Sequence, residues 1–225
     1  MILTVGDVLD RAGLDQVRQA APDLTWRDGR ATAGRRAKRV KRNEQADLST
    51  KAGAALHALL LAAIEGNAVI RAAARPKRCS RLLLSRAGKG GGYGAHIDNA
   101  VMGHGAGRMR SDVSFTLFLS EPDAYDGGEL VIDHPGGEQA IKPPAGDLVL
   151  YPSTSIHRVN PIAAGERLVC VGWIESLVRD PCRRELLFDL DNVRADLRAK
   201  LPPDGPELLT LDKTVSNLLR LWVET

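Results

Sequence analysis

The chain has 225 residues, 44% of them hydrophobic and 26% charged, which is an ordinary globular composition and enough length for one core with extensions. No apolar stretch approaches the roughly 20 residues that span a bilayer, so no membrane association is expected. Acidic residues, Asp7 and Asp10, stand where a secretory signal would be basic and then apolar, and we therefore expect a cytoplasmic protein. Three widely spaced cysteines, Cys79, Cys170 and Cys182, indicate neither a disulfide framework nor a zinc knuckle.

The net charge of +3 comes from the first 50 residues, chiefly from the basic run RRAKRVKR between Arg35 and Arg42. A solvated face is the simpler interpretation of this run, and binding of a polyanion is the alternative. Because no aromatic side chain that could stack on bases lies nearby, a nucleic-acid partner is not favoured.

The N-terminal region, residues 1–77, predicts a mixed and largely helical extension. Residues 2–20 have the apolar periodicity of a helix. The segment LSTKAGAALHALLLAAIEGN predicts a second helix, capped by Ser49 or Thr50. His57 lies in this helix among leucines, which favours packing over metal ligation.

From Cys79 onward, short β-rich segments alternate with turn signals and predict a β core over residues 78–177, built as a sandwich or jelly-roll barrel. Within it, EPDAYDGGEL is interpreted as a hairpin turn, with Asp126 and Gly127 at the tight positions. Residues 178–225 predict two amphipathic helices separated by PPDGP. The predicted fold class is therefore α+β with a mainly β core and helical extensions at both ends.

Two candidate metal ligands lie in the segment YGAHIDNAV. Alternate residues of a strand point to one face, so His96 and Asp98 are expected to lie side by side, and such a buried pair is costly unless a charge such as a metal ion compensates it. A third ligand is needed from another strand. His157 follows a β segment and is the best candidate, since His104 lies in a glycine-rich loop and His134 at a hairpin tip.

Two imidazoles and one carboxylate form the ligand set of non-haem Fe(II) oxygenases, which leave coordination positions open. Zinc can use the same ligands, so the triad alone leaves the metal undecided. Arg167 comes ten residues after His157 at the start of RLVCVGWI, where its guanidinium suits the distal carboxylate of a bound dicarboxylate. A surface charge on a strand is the alternative interpretation of Arg167.

Four long segments, YGAHIDNAVM, RSDVSFTLFLSEPDAYDGGELVI, KPPAGDLVLYPSTSIHRVNPIAAGERLVCVGWIESLVRD and RRELLFDLD, carry a family resemblance that extends from about Trp26 to Asp191. They resemble the bacterial PKHD-type hydroxylases, Fe(II)/2-oxoglutarate-dependent dioxygenases similar to the prolyl 4-hydroxylase catalytic domain. The resemblance implies a double-stranded β-helix (jelly roll), iron bound by His96, Asp98 and His157, and 2-oxoglutarate bound through its far carboxylate by Arg167.

The resemblance also implies a reaction. Oxidative decarboxylation of 2-oxoglutarate to succinate would be coupled, with O2, to hydroxylation of an unidentified substrate, a small molecule or a peptidyl residue. L-ascorbate (vitamin C) is a further candidate cofactor, and members of the family are linked with iron uptake. One departure concerns the 2-oxoglutarate site: Ala87 stands where a tyrosine is usual and Gly91 where a methionine is usual, and Tyr93 is the candidate replacement as a cofactor-binding residue.

Two other functions are compatible with the same residues. One is a non-catalytic metal-binding jelly-roll module that acts as an iron sensor or chaperone. The other is an oxygenase that acts on nucleic acid, in which the basic run binds the phosphates. The sequence leaves the substrate and the oligomeric state open.

Overall fold

The computed structural model describes residues 1–32, 37–103 and 105–224. Its strands are β1 (Leu3–Val5), β2 (Trp26–Asp28), β3 (Lys41–Arg42), β4 (Glu44–Ala46), β5 (Pro76–Cys79), β6 (Leu83–Ala87), β7 (Gly92–His96), β8 (Val101–Met102), β9 (Met109–Arg110), β10 (Val113–Phe118), β11 (Tyr125–Gly127), β12 (Leu130–His134), β13 (Gly137–Ile141), β14 (Leu148–Pro152), β15 (His157–Val159), β16 (Ile162–Gly165) and β17 (Arg167–Ser176). Its helices are α1 (Arg11–Ala20), α2 (Lys51–Gly66), α3 (Ala68–Ala74), α4 (Pro181–Arg198) and α5 (Pro206–Trp222). The predicted α+β class with a mainly β core is confirmed.

Two antiparallel sheets form the core. The large sheet has the strand order β1-β14-β10-β17-β6-β4-β2, with β5 also paired to β17, and the small sheet has the order β13-β12-β15-β7-β3. Their facing sides pack together through apolar residues such as Phe118 and Val169 of the large sheet and Leu130 and Ile132 of the small sheet. This two-layer β arrangement is the predicted jelly roll.

The opposite face of the large sheet is covered by helices. Leu60 and Ile64 of α2 and Ile70 of α3 pack in one apolar cluster with Phe115 and Leu117 of β10. Strand β10 is therefore buried on both faces: Val113, Phe115 and Leu117 turn toward the helices, while Ser114, Thr116 and Phe118 lie on the other face. The helical layer covers one face of the large sheet, and the other face of that sheet borders the space between the two sheets.

The N-terminal segment differs from the prediction. Residues 3–5 form the edge strand β1, paired with β14, because the sheet edge offers backbone partners that a lone helical turn lacks. The helix begins only at Arg11, where the Asp10 carboxylate accepts a hydrogen bond of 2.8 Å from the backbone N–H of Gly13. Helix α2 begins as predicted, with the Thr50 hydroxyl accepting from the N–H of Gly53.

The N-terminal region also contributes strands to both sheets. Strand β4 pairs with β6 in the large sheet, and β3 pairs with β7 in the small sheet. The predicted extension of residues 1–77 thus closes one side of the β core. The two C-terminal helices, α4 and α5, pack on each other around Leu187 and Val215, and α4 is joined to α3 by an ion pair between Arg75 and Asp191.

The segment EPDAYDGGEL is not a hairpin turn, and that prediction is wrong. Tyr125–Gly127 forms β11, which pairs with the distant strand β16 in a separate two-stranded sheet. The tight backbone positions lie at Gly127 and Gly128, both in the left-handed region with φ of 72° and 70°. This geometry carries Tyr125 into the interior, where it is 2% exposed.

No single helix within residues 1–32, 37–103 and 105–224 is long and apolar enough to cross a membrane. Helices α2 and α3 pass that test only together, by length and composition, and they are bent by 70° relative to each other.

We predict that Leu60→Ala, in the buried layer between α2 and the large sheet, lowers the free energy of unfolding by roughly 2–5 kcal/mol, because it leaves a cavity among atoms that cannot fully relax. The matched control is Leu209→Ala at a position that is 71% exposed, where a change within about 0.5 kcal/mol is expected. Urea unfolding followed by circular dichroism measures both. Equal effects of the two substitutions would contradict the packing of α2 on the large sheet.

Candidate metal centre

Three potential metal ligands converge at one end of the space between the sheets. His96 is the last residue of β7 and His157 the first of β15, and these two strands pair so that the two histidines lie opposite each other. Asp98 follows two residues after His96. One donor atom from each of the three lies within 4.8 Å of the others, and His157 Nε2 is 3.8 Å from Asp98 Oδ2. Although the strand ends before Asp98, the three predicted ligands are brought together.

Hydrogen bonds fix the orientation of both imidazole rings. Nδ1 of His96 donates to the carbonyl oxygen of Gly94 at 2.8 Å, and Nδ1 of His157 donates to that of Ser155 at 3.1 Å. Because a carbonyl oxygen only accepts, the proton resides on Nδ1 and the Nε2 lone pair is available to a metal. Burial, followed by repulsion from His157, lowers the pKa of His96, so this ring is neutral near pH 7.

The carboxylate of Asp98 is held by a chain of two serines. The Ser114 hydroxyl donates to Asp98 Oδ2 at 2.6 Å, and the hydroxyls of Ser114 and Ser153 are 2.8 Å apart. Since Ser114 uses its one proton on Asp98, Ser153 donates to Ser114. Neither serine was predicted from the sequence, although Ser114 is one of two polar residues in the otherwise apolar strand VSFTLF.

A cavity of about 180 Å³ extends from the triad between the two sheets, and Arg167 lies in its wall. Arg167 is the first residue of β17, is 5% exposed, and has its guanidinium carbon 5.1 Å from the centre of the Phe118 ring. Its Nε and Nη2 atoms are buried without a hydrogen-bond partner among the described residues. Burial lowers the pKa of Arg167 from its ordinary value. Leaving such donors unsatisfied is costly, so this end of the cavity is built for an anion.

A second polar group accompanies Arg167. The Tyr125 phenol lies beside the guanidinium, and its hydroxyl is likewise buried without a partner in the described part of the chain. Burial raises the pKa of Tyr125, so the phenol remains a hydrogen-bond donor. Gly128 permits this approach: a Cβ there would lie 2.9 Å from Tyr125 Cε2 and 3.1 Å from Arg167 Cδ. Tyr125 is not among the site residues predicted from the sequence, because its segment is predicted there as a hairpin turn.

Tyr93, the predicted cofactor-binding tyrosine, lies in the same cavity but against the triad. Its ring stacks on His96, with centroids 3.6 Å apart and an interplanar angle of 21°. Its contact with a cofactor stays a prediction. Ala87, which stands where the family usually has a tyrosine, is opposite Arg167 in the sheet register and also lines the cavity.

The other histidines in the described ranges lie away from the triad. His57 is half-buried in α2, and its Nε2 accepts a hydrogen bond of 3.4 Å from the backbone N–H of Leu82, which agrees with the predicted packing role. His134 is exposed, as predicted. His104 falls outside the described residues.

The basic run divides in two. Arg35 and Arg36 fall outside the described residues, and Lys38 and Arg39 are exposed. Lys41, in contrast, is buried and lines the cavity. The interpretation of the whole run as a solvated face is therefore wrong for Lys41.

Known proteins resemble this chain at the level of sequence and of fold. The family model of the 2OG-Fe(II) oxygenase superfamily matches residues 82–175, and that of the PKHD-type hydroxylase C-terminal domain matches residues 182–224. A PKHD-type hydroxylase from Hyphomonas neptunium is 49% identical over 98% of this chain and 99% of its own length.

Two solved structures share the fold at low identity. A prolyl hydroxylase from Trichoplax adhaerens, in complex with a hypoxia inducible factor peptide fragment, superimposes with a TM-score of 0.59 at 16% identity, covering 77% of this chain and 83% of its own. HygX from Streptomyces hygroscopicus, with nickel and 2-oxoglutarate bound, has a TM-score of 0.54 at 14% identity, covering 78% and 82%. With this fold and the full-length identity to its relative, the chain belongs to the PKHD-type hydroxylases of the 2OG-Fe(II) oxygenase superfamily, which are dioxygenases that use Fe(II), 2-oxoglutarate and O2.

Proposed function

We propose that this protein couples the oxidative decarboxylation of 2-oxoglutarate to succinate with hydroxylation of a separate substrate. In this proposal His96, Asp98 and His157 bind Fe(II), and Arg167 binds the far carboxylate of 2-oxoglutarate. The observation that carries it is the buried guanidinium with unpartnered Nε and Nη2 atoms in the wall of the cavity that holds the triad. A metal site alone gives no reason to bury such a cation.

The donor set of the triad fits Fe(II). Two imidazoles and one carboxylate match the ligand set of such oxygenases, and iron bound by them would supply open positions for 2-oxoglutarate and O2. The chain prepares these ligands in advance: backbone carbonyls hold the two histidine rings, and Ser114 holds Asp98. Little rearrangement is then required when the metal binds.

Arg167 and Tyr125 together suit a carboxylate. A guanidinium presents a planar fork of N–H donors, and the phenol adds an O–H, so each carboxylate oxygen receives a charge-assisted hydrogen bond. Phe118, Val169 and Leu130 surround this end of the cavity with apolar groups, which keep water away and strengthen these bonds.

The same observation weighs against a non-catalytic iron sensor or chaperone, which has no use for a dicarboxylate site beside its metal. An oxygenase acting on nucleic acid stays a hypothesis, which salt-dependent binding to oligonucleotides would support.

The remaining parts of the proposal concern the cellular compartment, a further cofactor and the kind of substrate. The three cysteines are all free, which supports a reducing, cytoplasmic compartment. A role for L-ascorbate and a link to iron uptake stay predictions from the family resemblance, as does the choice between a small-molecule and a peptidyl substrate.

The first test is anaerobic titration of Fe(II) and 2-oxoglutarate into the apo-protein, followed by the weak visible charge-transfer band of the iron chelate. Wild type should give the band and His96→Ala should not, because one ligand is lost. Arg167→Ala should need at least about tenfold more 2-oxoglutarate, since a charge-assisted bidentate contact is removed. His134→Ala, at an exposed histidine, is the matched control and should behave as wild type. Iron binding without a band at any 2-oxoglutarate concentration would instead support the non-catalytic alternative.

A second prediction distinguishes Tyr125, beside Arg167, from Tyr93, in the cavity wall. Tyr125→Phe removes the hydroxyl beside Arg167 and should raise the Kd of 2-oxoglutarate about tenfold, the cost of one hydrogen bond to a charged group. Tyr93→Phe retains the ring that stacks on His96 and should change this Kd by less than about threefold. The chelate band measures both constants. The reverse order of effects would assign the cosubstrate contact to Tyr93.

A third prediction concerns the support of Asp98. Ser114→Ala should weaken Fe(II) binding about 10- to 100-fold, because the carboxylate loses the hydroxyl that orients it. Ser153→Ala, one hydrogen bond further away, should have a smaller effect. Metal affinity is measured by competition with a chromophoric chelator, and urea unfolding of the metal-free variants provides the control for stability. Unchanged metal affinity in Ser114→Ala would contradict this role.

A further inference from the structure

A lysine contacts the tyrosine that lies beside Arg167. Lys142 Nζ donates a hydrogen bond of 2.5 Å to the backbone carbonyl oxygen of Tyr125, and the same Nζ lies 4.1 Å from the centre of the Tyr125 ring. One ammonium group therefore contacts both the backbone and the aromatic face of a single residue. The function proposed above gives this lysine no role.

The sequence restricts the backbone of Lys142 on both sides. Lys142 follows Ile141, the last residue of β13, and precedes Pro143 and Pro144. A residue before proline is confined to extended conformations, and each proline ring fixes its own φ. Because the backbone is restricted before the side chain is placed, less conformational entropy is lost when the ammonium contacts Tyr125.

Strand β16 holds the backbone of the same tyrosine. Tyr125 pairs with Gly165, and a Cβ at Gly165 would lie 2.8 Å from the Cα of Tyr125. This close approach fixes the backbone of Tyr125, but strand pairing does not fix the rotation of the ring about its side-chain torsions. A cation over the face of the ring does restrict that rotation, so the direction of the phenol depends on Lys142.

One carboxylate acts electrostatically on both Lys142 and Arg167. The pKa of Glu129 is lowered first by a hydrogen bond from its own backbone N–H and, against the effect of burial, by one from Asn160, whose Nδ2 is 3.0 Å from Glu129 Oε2. Attraction to Lys142 and to Arg167 lowers it further. Glu129 is therefore ionised at pH 7 and attracts the ammonium toward the end of the cavity where Arg167 lies.

We propose, on the basis of the function proposed above, that Lys142 is a positioning residue for 2-oxoglutarate. It fixes the Tyr125 ring so that the phenol donates a hydrogen bond to the far carboxylate that Arg167 binds. Lys142 itself does not contact the cosubstrate. Its loss therefore weakens the binding only of ligands that carry the far carboxylate, and only while the Tyr125 hydroxyl is present.

The test compares two ligands of full-length protein loaded with Mn(II), by isothermal titration calorimetry, which requires no turnover. N-oxalylglycine carries both the chelating group and the far carboxylate of 2-oxoglutarate, whereas oxalate carries only a chelating group. Lys142→Met should raise the Kd of N-oxalylglycine about three- to tenfold, because a hydrogen bond to a charged group is weakened. It should change the Kd of oxalate by less than about twofold, whereas a merely structural role would raise both constants.

A double-mutant cycle assigns the effect to Tyr125. In a Tyr125→Phe background, Lys142→Met should change the Kd of N-oxalylglycine by less than about twofold, since the hydroxyl that it positions is absent. Lys142→Arg donates to the same carbonyl and stacks on the ring, and it should stay within about twofold of wild type. Lys77→Met, at an exposed lysine of β5, is the matched control and should behave as wild type.

Three results would each overturn the proposal. One is an unchanged Kd of N-oxalylglycine in Lys142→Met, the second is an equal rise for oxalate, and the third is an undiminished effect of Lys142→Met in the Tyr125→Phe background. If Lys142→Met does not fold, Lys142→Gln, which is also uncharged, takes its place in every comparison.

Arg167→Ala separates this proposal from the one on which it rests. An unchanged Kd of N-oxalylglycine in Arg167→Ala would overturn the proposed cosubstrate site and the role of Lys142 together. A rise of about tenfold or more in Arg167→Ala, combined with no effect of Lys142→Met, would overturn only the role of Lys142.

Discussion

The pairing of β7 with β15 is the constraint on which the rest of the site depends. It places His96 and His157 opposite each other, and Asp98, two residues after His96, brings its carboxylate within 4.8 Å of both donor atoms. Neither strand supplies a site alone, since β7 ends at its histidine and β15 begins at its own. The small sheet therefore sets the ligand geometry through backbone hydrogen bonds, which are stiffer than any contact between side chains.

The large sheet supplies the serine that holds Asp98 and the arginine of the cavity wall. Its outer face is sealed by α1, α2 and α3, so its inner face can carry polar residues at little cost to the core. Ser114 reaches the Asp98 carboxylate from this face, and Arg167 lies in the wall of the same cavity. A buried guanidinium is tolerable there because the apolar clusters on both sides of the sheet supply the stability that its desolvation removes.

The sequence predicted the fold class, α2, the two C-terminal helices and the four residues His96, Asp98, His157 and Arg167 that the structure gathers around one cavity. These features depend on local spacing and on long ordered segments of family resemblance. The sequence did not predict Ser114, which meets Asp98 only because the two sheets pack face to face.

Tyr125 was missed for a related reason. Its turn-like segment pairs with β16, about forty residues later in the chain, and local propensity gives no sign of such a partner. Strand β1 shows the same effect, since three residues with helix-like periodicity became an edge strand because β14 offered backbone partners. In each case a long-range strand pairing overrode the local pattern.

The N-terminal segment forms part of the cavity wall. Residues 82–175, which match the superfamily, contain the triad and Arg167, yet Lys41, Asn43 and Gln45 from outside that range also line the cavity. The region that carries out the common chemistry is thus closed by strands that the superfamily match does not include. These strands hold neither the triad nor Arg167, so they shape the wall of the cavity while the β core holds the four residues proposed to bind the iron and 2-oxoglutarate.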